Sequence, residues 1–411
     1  MNTSGPYRLY IEPYCFIFQE KEEAVIYNYL NGAYLHIKDS PLLQQAIQEL
    51  NAPDNGYNTV IPEKFMENSD FNRFIEDIKA SYSGDLIPVS DLPQKPFLFF
   101  PEVSIREKMS DFEKAYSFAG KELLKNINEA TIYLPAPCNY GCKGCKQYDK
   151  QFGHCSDYQK LHSLHIAEYA VLFAEFQAAG VARVNFMGGD LTLYEQREEL
   201  LTVLKNYDFK KEFYFDIRQL SPVCHTFLRD ETVGMTVWVH PPYEPETLLH
   251  RKEQFEKEIT EWRVIVESEQ DLEQVELLFP EEEKLSIHPF YNSANYSFFE
   301  KYVFYDLSDL LAEPIDKKTI FRRQVLNENY FGKIYLSPEG DLYTHPNLPP
   351  VGNIREKALT EMVFQEMKTP YAWMKIRDEA PCKTCVNKFL CPSPGNYETV
   401  FKRPNLCHIK R

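Results

Sequence analysis

Between about residues 130 and 325, short apolar runs alternate with longer amphipathic stretches. The apolar runs read as strands: "ATIYLPA", "VARVNFM", "EFYFDIRQL", "GMTVWVH", "EWRVIVE" and "KLSIHPF". Helix-like stretches separate them, such as "SLHIAEYAVLFAEFQAAG", which Gly180 closes. Six strand–helix units of this kind predict an α/β fold with a parallel sheet covered by helices. The pattern fits a doubly wound sheet or a partial (β/α)6 barrel, and both place their chemistry at the carboxyl ends of the strands.

The flanking sequence divides the chain further. Residues 1–90 combine strand-like runs with "SPLLQQAIQEL" and "SDFNRFIEDIKAS", two helices with apolar residues at helical spacing, which indicates a small α+β unit. We expect a connector over 91–129, the alternating core over 130–325 and a last unit over 326–411. That last unit opens with a predicted hairpin, "KIYLSPEGDLYTH".

Composition excludes some classes of function. The 411 residues carry a formal net charge of -16, which argues against nucleic acid as a partner and would suit a basic or neutral peptide. We find no apolar run long enough for a membrane span and no secretory signal pattern, so we expect a cytoplasmic protein. In a reducing compartment, tight cysteine clusters indicate metal sites rather than disulfides.

The first cysteine cluster follows the first strand of the alternating region. Cys138, Cys142 and Cys145 have the spacing C-x3-C-x2-C. Cysteine thiolates bind iron–sulfur clusters, and three of them leave one iron of a four-iron cube open. A structural zinc ion would need a fourth ligand, which Cys155 or His154 could supply. The spacing favours iron–sulfur over zinc.

The second cysteine cluster lies near the end of the sequence. Cys382, Cys385, Cys391 and Cys407 follow the spacing C-x2-C-x5-C-x15-C. Four closely spaced thiols suit either a complete iron–sulfur site or a zinc-ribbon-like site. The sequence therefore predicts a metal site here as well.

A glycine pair and an acid follow the second strand, in "FMGGDLTL". Gly188 and Gly189 would let the backbone approach a cofactor closely, and the Asp190 carboxylate could accept a charge-assisted hydrogen bond from an ammonium group. Alternatively, Asp190 caps a helix in a strand-to-helix turn. Other polar residues at strand ends are Arg218 and Gln219 after the third strand, His240 after the fourth and His288 at the sixth.

These motifs together resemble the radical SAM/SPASM peptide maturases, in particular the GG-Bacteroidales type. C-x3-C-x2-C after the first strand of a six-fold β/α domain resembles the family signature, and Gly188-Gly189-Asp190 resembles its Gly-Gly-Glu motif. The hairpin and the cysteines after it resemble a SPASM domain. The opening "YRLYIEPYCFIF…AVIYNYLNGAYL" resembles a PqqD-like winged-helix domain that recognises leader peptides.

The resemblance implies a fold, cofactors and partners. It implies a radical-SAM-type partial barrel between an N-terminal winged-helix domain and a C-terminal iron–sulfur domain. Two [4Fe-4S] clusters are implied: Cys138, Cys142 and Cys145 would hold the one that binds S-adenosylmethionine, and the four C-terminal cysteines an auxiliary one. Gly188, Gly189 and Asp190 would bind the methionine end of the cofactor. Implied partners are a precursor peptide with a leader, an electron donor and, for a non-catalytic member, a companion maturase.

Some positions depart from the family pattern. Gly144 stands where an aromatic residue is usual, and Asp190 where Glu is usual. His345 and Gly395 stand where the family's first auxiliary cluster has cysteines. The branch includes pseudo-radical-SAM proteins. The sequence thus supports an enzyme that cleaves S-adenosylmethionine, and as an alternative a non-catalytic partner that binds the precursor peptide for another maturase. A zinc-stabilised binding protein is a third interpretation.

Overall fold

The computed structural model describes residues 5–99, 123–140, 151–153, 163–228, 232–280, 283–369 and 372–409. Residues 5–99 form two antiparallel three-stranded sheets, with strand orders β5-β1-β6 and β2-β3-β4, together with two helices. The strands are β1 (Tyr7–Ile11), β2 (Cys15–Glu20), β3 (Glu23–Asn28), β4 (Tyr34–Lys38), β5 (Asn58–Ile61) and β6 (Gly84–Pro88). The helices are α1 (Pro41–Asn51) and α2 (Ser69–Ala80).

Helix α2 illustrates how sequence spacing sets packing in this unit. The Asn68 side chain accepts a hydrogen bond from the Phe71 backbone N–H and so caps the helix. The apolar residues at helical spacing are buried together, as their spacing predicts: Phe71, Phe74, Ile75 and Ile78. The sequence did not predict β5 and β6, which are short strands paired on either side of β1.

The alternating region forms most of a nine-stranded sheet. Its parallel strands are β7 (Glu129–Leu134), β8 (Arg183–Gly188), β9 (Lys210–Asp216), β10 (Val233–Val239), β11 (Ile259–Val266) and β12 (Leu285–Pro289). The helices of this region are α3 (Ile166–Ala179), α4 (Arg197–Leu204), α5 (Pro245–Phe255) and α6 (Glu269–Leu278). The predicted α/β fold with a parallel sheet is confirmed.

Strand order distinguishes between the two architectures that periodicity left open. Strands β7 to β12 are neighbours in chain order, with no reversal of direction across the sheet. Right-handed crossovers that all advance in one direction place the helices on one face of the sheet. A doubly wound sheet reverses and has helices on both faces. The arrangement is therefore that of a partial barrel, with an outer face against helices and an open inner face.

The hairpin of the last unit belongs to the same sheet. Helices α7 (Tyr296–Tyr302), α8 (Leu307–Leu310) and α9 (Lys317–Arg323) lead to β13 (Lys333–Leu336), β14 (Asp341–Tyr343) and β15 (Gly352–Asn353). Strand β13 pairs parallel with β7, and β14 and β15 follow antiparallel. Helices α10 (Leu359–Lys368) and α11 (Asn396–Phe401) complete the unit. The predicted hairpin is present: the Gly340 N–H donates to the Ser337 carbonyl across its turn, and Gly340 has a φ of 93°.

The N-terminal unit packs against the C-terminal part of the chain. Phe16, Val25 and Tyr27 form a buried cluster with Ile320, Val386 and Leu390. At the edge of this cluster, the Tyr34 hydroxyl donates a hydrogen bond to Asn387 Oδ1 at 2.9 Å. The two flanking units therefore meet through a shared apolar core. The winged-helix and SPASM-like identities of these units, and the domain boundaries, stay predictions.

Across the described ranges, we find no helix of the length and apolarity that a membrane crossing requires.

Candidate functional site

The loops after β7 and β8 lie side by side at the carboxyl edge of the sheet. The Asp190 backbone N–H donates a hydrogen bond to the Pro137 carbonyl at 2.9 Å. A Cβ placed on Gly189 would lie 3.0 Å from the Cys138 Cβ and closer still to the Ala136 carbonyl oxygen. A Cβ on Gly188 would lie 2.5 Å from the Leu134 carbonyl oxygen. Gly189 is therefore required by the close approach of the two loops, and Gly188 by that of the adjacent strand β7.

The first predicted cysteine cluster is described only in part. Cys138 lies in the loop after β7 with an exposed side chain. Cys142 and Cys145 lie outside the described residues, as do Gly144, His154 and Cys155. The assignment of Cys138, Cys142 and Cys145 to one cluster stays a prediction.

Asp190 caps the short helix that follows it. Its Oδ1 accepts hydrogen bonds from the Thr192 backbone N–H at 3.0 Å and from the Thr192 hydroxyl at 2.6 Å. Capping was one of the two roles that the sequence suggested for this residue, and the structure contains that contact. The carboxylate is nearly buried, at 9% exposure, and lies beside the loop that carries Cys138.

A second carboxylate lies at the same edge. Asp216, the last residue of β9, accepts hydrogen bonds at 2.7 Å from Arg218 Nε and Nη2, one on each oxygen. His240 Nε2 lies 3.2 Å from Asp216 Oδ2. Burial alone would raise the pKa of Asp216, but the bonds from Arg218 and His240 outweigh it and hold this pKa below its usual range. Asp216 is therefore ionised and fully engaged by its own chain.

The loop of the first cysteine cluster contacts this ion pair. Tyr140, two residues after Cys138, donates its hydroxyl hydrogen to the Arg218 carbonyl oxygen at 2.6 Å. The Arg218 guanidinium lies 4.8 Å from the centre of the Tyr140 ring, a cation–π distance. On the other side, Gln219 donates to the Gly189 carbonyl at 3.3 Å. We name Cys138, Tyr140, Asp190, Asp216, Arg218, Gln219 and His240 the strand-end cluster.

Sequence reasoning placed five of these seven residues among its candidates and missed two. Asp216 directly precedes the noted "IRQ", and an acid at the end of a buried strand was an available signal. Tyr140 follows Cys138 closely in the chain, but nothing in the sequence indicates that its ring covers Arg218. His288 belongs elsewhere: it packs on the inner face against the stacked rings of Phe152 and Trp238, at 5.4 and 5.1 Å.

The four C-terminal cysteines are described and lie within electrostatic reach of one another. Burial is the main cause that raises the pKa of Cys391 to about 12, and Cys385, Cys407 and Cys382 act in the same direction. Neither Cys382 nor Cys385 is more than 7% exposed. Arg377 Nη1 approaches Cys382 Sγ at 4.0 Å, and Asn405 donates to Cys407 Sγ at 3.1 Å. Among the described side chains, no three or more potential ligands adopt the spacing of a bound metal ion.

His345 and Gly395, which stand where the resemblance led us to look for cysteines, have structural surroundings of their own. His345 is buried, stacks on Tyr330 at 4.3 Å and accepts a hydrogen bond on Nδ1 from the Asn347 backbone. Burial, helped by Lys375, lowers the pKa of His345 to about 4. Gly395 precedes α11, where its N–H donates to the Glu398 side chain. His345 is thus a neutral, packed side chain.

Comparisons with known proteins give distant structural likenesses. No protein-family model matches the chain, and no curated protein matches its sequence. Similar solved structures include Streptococcus suis SuiB bound to its precursor peptide SuiA, at 13% identity over 97% of this chain and 98% of that one, with a TM-score of 0.46. They also include SuiB bound to S-adenosylmethionine, at 12% identity over 96% and 97%, with a TM-score of 0.45. SuiB alone matches at 12% identity over 98% and 100%, with a TM-score of 0.46.

Proposed function

We propose that the chain is a radical S-adenosylmethionine enzyme that modifies a ribosomally made precursor peptide. The observation that carries the proposal is the contact between the Cys138 loop and the Gly189–Asp190 turn at the ends of adjacent parallel strands. In open and closed β/α sheets, this edge is where ligands bind. A cysteine loop and an acidic turn held together there suit a metal-bound cofactor.

The donor types of the strand-end cluster fit such a cofactor. Cys138, Cys142 and Cys145 would hold a [4Fe-4S] cluster through thiolates. Gly188, Gly189 and Asp190 would hold the methionine end of S-adenosylmethionine, whose ammonium group a carboxylate can accept. When bound, the cluster and cofactor together supply a 5'-deoxyadenosyl radical by reductive cleavage, and this radical removes hydrogen from the substrate.

Residues of the chain near this site would fix its charges and shield it from water. Arg218 and His240 keep Asp216 ionised and hold it in place. The strand end next to Tyr140 therefore carries a fixed carboxylate paired with a fixed guanidinium. Below the edge, aromatic and apolar side chains form one buried cluster on part of the inner face: Tyr133, Phe152, Met187, Tyr214, Trp238, Ile265 and Phe290. Apolar groups beside a reactive radical would limit its side reactions with water.

The C-terminal thiols would hold a second [4Fe-4S] cluster. Cys382, Cys385, Cys391 and Cys407 suit iron in type and number. With four protein ligands, this cluster would relay electrons from an external donor or act as a structural staple. The precursor peptide would lie between the inner face of the sheet and this unit, while the N-terminal unit would bind its leader.

One observation favours a second candidate function. Asp190 uses Oδ1 to cap its own helix, and the space next to both glycines is taken by the backbone of β7 and of the loop after it. In this arrangement the turn has a structural role that needs no cofactor. It therefore also suits a non-catalytic partner that binds the peptide and presents it to a true maturase.

One experiment separates these functions. The protein is purified without oxygen, its iron, sulfide and zinc are counted, and 5'-deoxyadenosine is measured after reduction with S-adenosylmethionine. About eight irons per chain, about four of which are lost on joint replacement of Cys138, Cys142 and Cys145 by Ala, together with cleavage, support the enzyme. About four irons that this replacement leaves intact, without cleavage, support the partner. Zinc without sulfide contradicts both and leaves a zinc-stabilised binding protein.

A further inference from the structure

The inner face of the sheet encloses a cavity of about 540 Å³ together with the C-terminal unit. Its floor comes from inward-facing strand residues and its roof from the segment around α11. A volume of this size accommodates one or two amino-acid residues, in the range of small-molecule pockets. The cavity is distinct from the strand-end cluster, none of whose seven residues lines it.

The charges on the cavity wall have the opposite sign to the molecule as a whole. The chain carries a net charge of -16, but the cavity is lined by Arg183, Arg263 and Lys333 against Glu129. The further lining pair, Arg377 and Glu398, neutralises itself through a 2.8 Å ion pair. The residues that line the cavity therefore carry a net positive charge.

Two of these cations have no acidic partner among the described residues. Arg183 and Lys333 form no ion pair within the described residues. Arg263 Nη2 donates to Glu261 at 2.9 Å, and the charge of Glu129 also acts on this guanidinium. Its Nε is buried and makes no hydrogen bond to any described group. An unused buried guanidinium N–H is costly. Arg263 lines the cavity, and a guanidinium in such a wall can bind a carboxylate through two parallel hydrogen bonds.

Two uncharged polar atoms of the cavity wall also make no hydrogen bond to any described group. His288 Nε2 and Asn185 Oδ1 are buried without a hydrogen bond to any described group, and both residues line the cavity. Burial and the charge of Arg263 lower the pKa of His288 to about 4, so its ring is neutral at pH 7. Asn185 donates to Glu129 through Nδ2, which leaves Oδ1 to accept from an N–H. A peptide provides both kinds of partner.

The position of Arg263 is fixed by aromatic rings. Its guanidinium lies 5.1 Å from the Tyr214 ring centre and 5.5 Å from that of Trp238. Stacking of this kind orients the planar fork of arginine and reduces the entropy lost when it binds a carboxylate. Arg263 is thus already arranged to receive a planar anion.

We propose that this cavity binds a carboxylate of the peptide substrate, with Arg263 as its main anchor. The inference rests on the proposed function for the identity of the ligand as a peptide. It differs from the expectation from net charge, which favoured a basic or neutral peptide. The shared chemistry is the carboxylate, whether on an acidic side chain or at the peptide's C-terminus.

Three short peptides distinguish these sources by calorimetry on the anaerobically purified holoprotein. The first is N-acetyl-Ala-Glu-Ala-amide, the second its Gln counterpart, and the third N-acetyl-Ala-Ala-Ala with a free carboxylate. We expect the Glu peptide, the free-carboxylate peptide or both to bind about tenfold or more tightly than the Gln peptide. Equal affinities for all three, or no binding by any, overturn the proposal.

Variants test the role of Arg263. Arg263→Gln abolishes the preference for a carboxylate, and Arg263→Lys weakens it by removing the bidentate fork. Glu261→Gln removes the competing acid and strengthens binding, which a purely structural role of the pair would not do. Arg251→Gln, on α5 and away from the lining, removes the same charge without effect. A preference that survives in Arg263→Gln, with unchanged circular dichroism, contradicts the assignment; if that variant does not fold, the Lys and Glu261 variants decide.

The binding test needs no cleavage of S-adenosylmethionine. If the protein prefers a carboxylate but forms no 5'-deoxyadenosine, the carboxylate site stands and the proposed enzyme activity is wrong. If it cleaves S-adenosylmethionine but shows no such preference, the enzyme activity stands and the carboxylate site is wrong.

Discussion

At the scale of single residues, Asp190 caps its helix and, in the proposed function, would also bind the cofactor. As a cap it needs an acceptor oxygen, which Thr192 uses through its N–H and its hydroxyl. As a cofactor ligand it would need a negative charge. Asn and Asp are comparable caps, but Asn has no charge. Substitution can therefore separate the two tasks.

We expect Asp190→Asn to retain the stability of the protein and to lose affinity for S-adenosylmethionine. Asp190→Ala loses both, with the missing cap costing about 1 kcal/mol. Thermal melting measures the first effect, and equilibrium binding of S-adenosylmethionine to the iron-loaded protein measures the second. Unchanged cofactor affinity in Asp190→Asn would leave capping as the residue's role.

At the scale of elements, the two loops after β7 and β8 behave as one unit. Each loop is shaped to allow the other to approach, and Gly189 is the point of closest contact. The loop that carries Cys138 therefore depends on a residue from the next strand. A side chain added at Gly189 would displace backbone rather than a flexible side chain.

Gly189→Ala should reduce the iron bound per chain and lower the melting temperature, because its Cβ would overlap the Ala136 carbonyl. The expected loss of stability is about 1–3 kcal/mol, typical of overpacking. Gly153→Ala is the matched control, since the nearest atoms of the described residues would lie at 3.8 Å or more from its Cβ. Equal iron content in the two variants would contradict the close-approach role of Gly189.

An ion pair joins the start of α3 to the last unit. Arg355 Nη2 donates to Glu168 Oε2 at 2.9 Å, and Arg355 Nε bonds the other oxygen. Glu168 also accepts from the His165 backbone, as in a capping box. The bond from Arg355 is the main cause that lowers the pKa of Glu168 to about 2.

This ion pair predicts a stability difference that depends on pH. A depressed pKa in the folded state means that the contribution is present above the ordinary pKa of 4.5 and is lost as pH falls towards 2. Because both side chains are about one third exposed, the contribution is below about 1 kcal/mol. Urea unfolding of the wild type and Glu168→Gln at pH 7 and near pH 3 should show a gap that narrows at the lower pH. A gap that widens would contradict the assignment.

At the scale of the whole molecule, the first and last parts of the chain share a core. Ile320 of α9 is fully buried against Phe16, Val25 and Tyr27. The Tyr27 hydroxyl also accepts a hydrogen bond from the Ile315 backbone at 2.7 Å. The N-terminal unit is therefore held by apolar burial and by hydrogen bonds, not by the connector alone.

Ile320→Ala should destabilise the protein by about 2–5 kcal/mol, since it leaves a cavity in this shared core. Leu277→Ala, at an exposed position with 80% of its surface accessible, should change stability by less than about 0.5 kcal/mol. Urea unfolding monitored by fluorescence and by circular dichroism measures both. A small effect of Ile320→Ala would show that the units do not depend on this contact.

Sequence patterns captured the local features and missed contacts between distant segments. The six strand–helix units and the buried face of α2 follow from periodicity, which is a local property. The pairing of β13 with β7 joins segments far apart in sequence, and no pattern in either strand indicates the other. The ring of Tyr140 over Arg218 depends on the same kind of long-range placement.

One informative signal in the sequence was available and was not used. In "EWRVIVE", Glu261 and Arg263 alternate with Trp262 and Val264. A strand buried on both faces has no reason to place charges at every second position, so the alternation indicated a polar inner face. Which carboxylate or cation lies opposite could not be read from the strand itself.

The pairing of β7 with β13 has a consequence for how the chain is made. Strand β7 leaves the ribosome roughly 200 residues before the strand that covers its other edge. At typical synthesis rates of about 5–20 residues per second, that edge stays open for roughly 10–40 seconds. An open strand edge is a template for wrong pairing. Expression yield should therefore depend on protection of nascent chains, and faster synthesis or added chaperones should raise the soluble fraction.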